Sequence, residues 1–243
     1  MGKKGVDTMD KIMMERELSR LFADKTLAAR LLHELEDRFY IIVFGGAVRD
    51  IVYGKMYNIR DIDLVIYPID ERDYKNQDNI LDSIIRKNYR NFYQMNRFGG
   101  YKIIGCDINI DIWLLKNTWA FKQKILPVST ENLLKSVYLN VDAYAWDYNR
   151  KFFLSESRPS NKAIDIVLEE NPCEYLNLIR AVQFSYKYDM EISDQIKEKL
   201  VKMLDDWAKV KKEVYSAENK HYGKRLVTKQ RIYEVLEDKN GNN

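Results

Sequence analysis

The sequence predicts an α+β protein: a small mixed sheet flanked by helices, followed by an all-helical domain. Three observations carry this. Short runs rich in aromatic and β-branched residues, Phe39–Phe44 and residues 61–67, end at Gly or Pro. Apolar residues recur at helical spacing around them, in residues 27–35 and at Ile80, Leu81, Ile84 and Ile85. After about residue 150 glycine almost disappears, and Lys, Glu, Leu and Ile dominate.

In chain order, Leu18, Leu21 and Phe22 mark a first helix. Residues 27–35 mark a second, with Asp24 as its expected cap. Phe39–Phe44 reads as a buried strand running into Gly45-Gly46, and the next residues form a short helix ended by Gly54. Residues 61–67 form a strand stopped by Pro68. A helix follows, then a hairpin of residues 92–95 and 101–104 around Phe98-Gly99-Gly100. Residues 107–115 alternate as a further strand. Asn171-Pro172 is expected to open a helix with Leu176, Ile179, Val182, Gln183 and Tyr186 on one face. Residues 193–238 are expected to be helical. The predicted organisation is N-terminal helices over 1–38 packing on a head domain over 39–158, then a helical domain over 159–243.

Composition narrows the functional classes. Of 243 residues, 46% are hydrophobic, 32% charged and 12% aromatic, which is a folding chain rather than a disordered one. A net charge of +3 is too small for a protein that coats nucleic acid. Cys106 and Cys173 make no disulfide framework or CxxC pair, and the apolar runs are too short to span a membrane. The N-terminus lacks the apolar core of a signal peptide, so a cytoplasmic, reducing location is expected. His33 and His221 are too few and too distant for a zinc site.

Chemistry gathers in three stretches. Gly45 and Gly46 directly after a strand allow a sharp turn and close approach to a ligand, while the following helix start suits phosphate. Asp61 and Asp63, two apart on a strand, share a face opposite Ile62, Leu64 and Ile66. Such a pair is tolerated best at solvent or around a hard cation such as Mg²⁺. In Cys106-Asp107-Ile108-Asn109-Ile110-Asp111-Ile112, acidic and amide residues alternate with isoleucines. That strand has room to lie beside the Asp61 strand. Asp111 is preferred to Asp107 as third carboxylate because apolar residues flank it and Trp113 follows. Three carboxylates beside a phosphate turn make a two-metal phosphoryl-transfer site.

Gly45-Gly46-Ala47-Val48-Arg49-Asp50 with Arg60-Asp61-Ile62-Asp63 resembles the head domain of class II CCA-adding enzymes and bacterial poly(A) polymerases, in the polymerase-β-like nucleotidyltransferase superfamily. Residues 96–101 and 111–113 continue the resemblance. Residues 139–147 match more weakly, and residues 178–184 are similar to that family's neck helix. The resemblance implies a nucleotidyltransferase head with a neck-like helical domain. It implies Asp61, Asp63 and Asp111 as metal ligands for Mg²⁺ or Mn²⁺. Gly45 and Gly46 would hold the triphosphate, with Arg49 and Asp50 supporting the loop or touching the nucleotide. Arg60 and Arg180 would also serve nucleotide binding, as would Glu174 and Asn177 at the base-reading positions.

The chain departs from that family at instructive places. Ser136-Val137-Tyr138 stands where the family has two arginines and a ribose-binding aspartate. Glu174 and Asn177 replace its Asp and Arg, and Asn cannot reproduce an Arg fork. The family's body and tail, which hold tRNA, would lie past residue 243. Residues 211–231 carry seven basic side chains against two acidic ones, with Tyr215 and Tyr222 interleaved and Tyr233 following, a pattern able to track RNA or simply to face solvent. The expected activity is transfer of a nucleoside monophosphate from an NTP to a hydroxyl, such as an RNA 3′ end, releasing pyrophosphate. The alternatives are a small-molecule or protein acceptor, as in antibiotic-modifying, toxin or defence enzymes, and a non-catalytic nucleotide- or RNA-binding relative.

Overall fold

The computed structural model describes residues 8–23, 26–96, 98–104, 108–154 and 163–237. The chain divides into two compact units, residues 1–136 with 142–158 and residues 137–141 with 159–243. Asp24, Arg97, Cys106 and Asp107 lie outside the described residues.

The first unit opens with helices α1 (Thr8–Leu21) and α2 (Leu27–Glu36). Thr26 caps α2, its Oγ1 accepting from the Ala29 N–H at 3.0 Å. There follow β1 (Phe39–Phe44), α3 (Gly46–Val52), β2 (Asp61–Pro68), α4 (Gln77–Asn88), β3 (Tyr93–Met95), β4 (Tyr101–Ile103) and β5 (Asn109–Leu114). Two short helices, α5 (Trp119–Lys122) and α6 (Thr130–Leu133), precede β6 (Ala145–Asp147) and β7 (Phe152–Phe153). The strands form one sheet in the order β3-β4-β5-β2-β1-β6-β7. β2 and β5 run parallel and the other neighbours antiparallel, so the sheet is mixed as expected.

The core explains the strand patterns. Ile62, Leu64 and Ile66 of β2 join Ile110, Ile112 and Leu114 of β5 on one sheet face. Met14, Leu18, Leu31, Leu35, Val48, Ile51, Leu81 and Ile85 belong to the same cluster and come from α1, α2, α3 and α4. Each such side chain contributes about 1.5–3 kcal/mol on burial. The polar members of β2 and β5 are thereby forced to the opposite face.

In the second unit, β8 (Ala163–Ile164) pairs in parallel with β9 (Glu191–Ile192) around the long helix α7 (Glu174–Tyr188). Then come α8 (Asp194–Asp205), α9 (Trp207–Tyr222) and α10 (Lys229–Glu237). Among the described residues the rest of the unit is mainly helical, with one isolated antiparallel bridge between Leu139 and Ile166. Residues 137–141 are stitched to it. Asn140 N–H donates to the Asp165 carbonyl at 2.9 Å, and Val167 N–H to the Tyr138 carbonyl at 2.8 Å.

Three details differ from expectation. α7 starts at Glu174 rather than at Pro172, because Asn171 Oδ1 accepts from the Cys173 N–H at 3.1 Å and holds an Asx-type turn. The buried face of α7 centres on Leu178, Ile179 and Val182, whereas Tyr186 is 47% exposed and donates to Glu234. The helical stretch after Ser193 breaks at Asp206 and at Gly223, which ends α9 at φ +68°.

Candidate active site

The polar face of the sheet is built by register. Asp61 stands opposite Asn109 and Asp63 opposite Asp111 on the parallel strands β2 and β5. Directly paired residues present their side chains to the same face, so Asp61, Asp63 and Asp111 share one surface. Asn109 Nδ2 donates to Asp61 Oδ1 at 3.2 Å. Asp61 and Asp111 remain partly open, at 41% and 22% side-chain exposure. β5, which carries Asp111, lies directly beside the strand of Asp61 and Asp63, as the length between the two stretches allowed.

A fourth charged residue joins them. Lys102, paired with Asp111 across β4 and β5, places Nζ 3.0 Å from Asp111 Oδ2 and 4.0 Å from Asp61 Oδ1. Burial works to lower its pKa, but the hydrogen bond to Asp111 and the charges of Asp111, Asp61 and Asp63 outweigh that, and the net shift is upward. The ammonium is held charged.

Gly45 makes the bend after β1. Its φ of +67° is a region that L side chains rarely adopt. A β-carbon there would lie 3.7 Å from Asp63 Oδ2, so the bend runs against the carboxylate face. Gly46 opens α3, whose first N–H groups have no partner within the helix.

Behind the bend, Arg49 and Asp50 are buried. Arg49 Nε donates to Asp50 Oδ1 at 3.3 Å, and its Nη1 donates to buried Asp142. Arg49, Asp50 and Asp142 thus form one buried ion-pair network behind the bend. Arg60 is exposed at the entry to β2.

The other expected nucleotide-binding residues sit in the second unit. Glu174 Oε1 accepts from Lys199 Nζ at 2.8 Å, and the same ammonium reaches Glu169 at 2.7 Å. Those bonds, to Glu169 and then Glu174, raise the Lys199 pKa. Asn177 is buried; its Nδ2 donates to Asn171 at 2.8 Å, and its Oδ1 accepts from Arg180 at 3.5 Å. The Arg180 guanidinium lies 5.3 Å from the Phe184 ring centre. Glu174, Asn177 and Arg180 thus have partners within the unit.

No family model matches the sequence, and no curated protein matches it. Solved structures do match. A CCA-adding enzyme with CTP aligns at TM-score 0.54 and 16% identity, covering 98% of this chain and 55% of that one. A tRNA-processing enzyme with CTP gives 0.53 and 16%, covering 86% and 54%. A tRNA nucleotidyltransferase complexed with a primer tRNA and an incoming ATP analog gives 0.52 and 19%, covering 85% and 58%. The chain has the fold of the CCA-adding enzymes. It spans little more than half the length of these CCA-adding and tRNA-processing neighbours.

A divalent ion is the group expected from the sequence. Carboxylate oxygens are the hard donors that Mg²⁺ and Mn²⁺ favour, and the Lys102 ammonium against two of them is a stand-in cation, so the donor set fits. A cage of three acids is a different matter. Among the described residues, no three His, Cys, Asp or Glu side chains are grouped to hold one ion. Asp111 is engaged by Lys102 instead.

Two residues of the site escaped the sequence reading. Lys102 left only the weak alternation of Tyr101-Lys102-Ile103, too short to fix its face without the hairpin's register. Asp142 lies within the weakly matching stretch and gave no charge pattern of its own. Among the described residues, no helix is long and apolar enough to cross a membrane.

Proposed function

We infer that this chain is a nucleotidyltransferase acting on an NTP and a hydroxyl acceptor. The acceptor oxygen bonds to the α-phosphorus, the α–β phosphoanhydride bond breaks, pyrophosphate leaves and the hydroxyl proton is released. The observation that carries the reading is the register of Asp63 with Asp111, with Asp61 on the same face, against the Gly45 bend. The neighbours whose fold it shares are tRNA nucleotidyltransferases and CCA-adding enzymes seen with CTP, ATP or an ATP analog.

Within this reading, Asp61 and Asp63 would hold Mg²⁺ or Mn²⁺, and the bound ion supplies neutralising charge to the phosphates. The Gly45 bend brings backbone close to the triphosphate, and Arg49 with Asp50 and Asp142 fixes the bend from behind. An RNA 3′ end is the favoured acceptor, because a neighbour holds a primer tRNA and residues 211–231 are basic. A small-molecule or protein acceptor is the second reading. It is favoured by the internal pairing of Glu174 and Asn177, the residues expected to read a base.

The test is incubation with α-labelled ATP and CTP, a divalent ion, and either RNA or small-molecule and protein acceptors. Label transfer is expected, and Asp63→Asn should reduce it by about 10³-fold, the several kcal/mol of a lost ionic ligand. The variant should keep the wild-type melting temperature within a few degrees. Full activity in Asp63→Asn overturns the site; nucleotide binding without transfer to any acceptor favours the non-catalytic relative.

A further inference from the structure

We propose that Lys102 replaces one cation of the site, so that the chain takes a single divalent ion, on Asp61 and Asp63, while Asp111 stays committed to Lys102. The inference rests on the nucleotidyltransferase reading and concerns how many ions that site holds.

Strand geometry fixes the pairing. Lys102 and Asp111 are direct partners on antiparallel strands, which sets their side chains on one face a short distance apart. The flanking residues of β4 anchor it from the other side. Ile103 is fully buried, and buried Tyr101 donates through its hydroxyl to Asp82 of α4 at 2.6 Å. The turn before β4 is equally constrained. A β-carbon on Gly100 would come within 2.9 Å of the Ile112 carbonyl and 3.1 Å of Trp113 Cβ. Backbone therefore packs on backbone at the mouth of the hairpin, and a slip of β4 by one residue would turn Lys102 into the core.

Charge completes the case. Three carboxylates carry three negative charges, and the ammonium beside them removes one. The remaining two are what one divalent ion cancels. A second divalent ion on Asp111 would have to break the 3.0 Å hydrogen bond from Lys102 or sit beside the ammonium against like-charge repulsion, whereas Asp61 Oδ1 is 4.0 Å from that ammonium and accepts no hydrogen bond from it. The absence of a three-acid cage among the described residues agrees with this arrangement. Lys102 acts here as a positioning residue: it holds the Asp111 carboxylate and supplies fixed positive charge.

The experiment counts ions on the full chain by Mn²⁺ titration, read by calorimetry and by the electron-paramagnetic-resonance signal of free Mn²⁺, with no nucleotide present. Wild type should bind one Mn²⁺, and Asp63→Asn should lose it. Lys102→Met should bind a second Mn²⁺ at least about tenfold tighter than wild type does, as expected when a like charge is removed. Adding Asp111→Asn to Lys102→Met should abolish that gain, and Lys102→Arg should stay at one ion. Two ions in wild type, or unchanged stoichiometry in a folded Lys102→Met, overturn the inference while leaving an Asp63-dependent site intact. If Lys102→Met does not fold, the wild-type count alone decides. No Mn²⁺ bound by wild type at any concentration overturns the metal reading of the site itself, and this inference with it.

Discussion

The sheet face of the first unit and the start of α7 in the second treat similar residues in opposite ways. On the sheet, Asp61, Asp63 and Asp111 are gathered by strand register, share one face and keep partial exposure. At α7, Glu174 is tied to Lys199 and Asn177 is buried against Asn171. Both regions resemble functional motifs in sequence. On the sheet the carboxylates share one face beside the Gly45 bend, with Asp111 and Asp61 bonded to Lys102 and Asn109 on neighbouring strands; at α7 the partners lie on another helix and in the turn before it. Motif resemblance therefore carries chemistry furthest where the backbone pattern itself dictates which way the side chains face.

Substitutions can break or sharpen that contrast. The largest effect on stability is expected at Arg49, whose loss takes the guanidinium away from the buried carboxylates of Asp50 and Asp142. Arg49→Met should cost about 3–5 kcal/mol, read by denaturant unfolding. A loss below about 1 kcal/mol would show that the first unit does not depend on this buried network. Gly45→Ala should follow, with about 1–3 kcal/mol of backbone strain at φ +67° and a raised KM for nucleotide. An unchanged KM would remove the bend from the nucleotide site.

Tyr101→Phe should cost about 1 kcal/mol by deleting the bond to Asp82. The Tyr101 hydroxyl, then Arg86, hold Asp82 below the usual carboxylate range against the opposing effect of burial. A lowered carboxyl adds stability above its unfolded pKa and loses it as pH falls through the folded value. The variant should therefore show a smaller acid-side loss than wild type in melts at decreasing pH. The smallest effect belongs to the second region. Glu174→Gln should change stability by less than about 1 kcal/mol, since its pair with Lys199 is partly exposed. It should leave the ratio of CTP to ATP use unchanged; a shifted ratio would put Glu174 back among base-reading residues.

Legibility in the sequence followed the range of the interactions. β1, the Gly45 bend, α3 and β2 were readable because each rests on neighbours within a few residues: an apolar run, a glycine, a Pro stop. Asp111 was readable because alternation gave its face, and the length between strands left β5 free to reach β2. Lys102 was not, because its face depends on the register of a hairpin whose strands are three residues each. The Lys199 partner of Glu174 lies 25 residues away on another helix, with no local trace. β8 and β9, two residues each, are too short for any period to show. At Asn171 a cap signal was present, but the side chain served a turn instead of the helix.

The stitching of residues 137–141 to residues 163–167 has a practical consequence. The polypeptide leaves the first unit after Ser136, contributes five residues to the second, and returns at Asp142, the acid that holds Arg49. Cleaving the gene after codon 158 would thus not yield a self-contained amino-terminal fragment. It would leave Tyr138 and Asn140 without the backbone they bond, immediately beside the aspartate that holds Arg49. Functional dissection of this protein is better done by point substitution than by truncation.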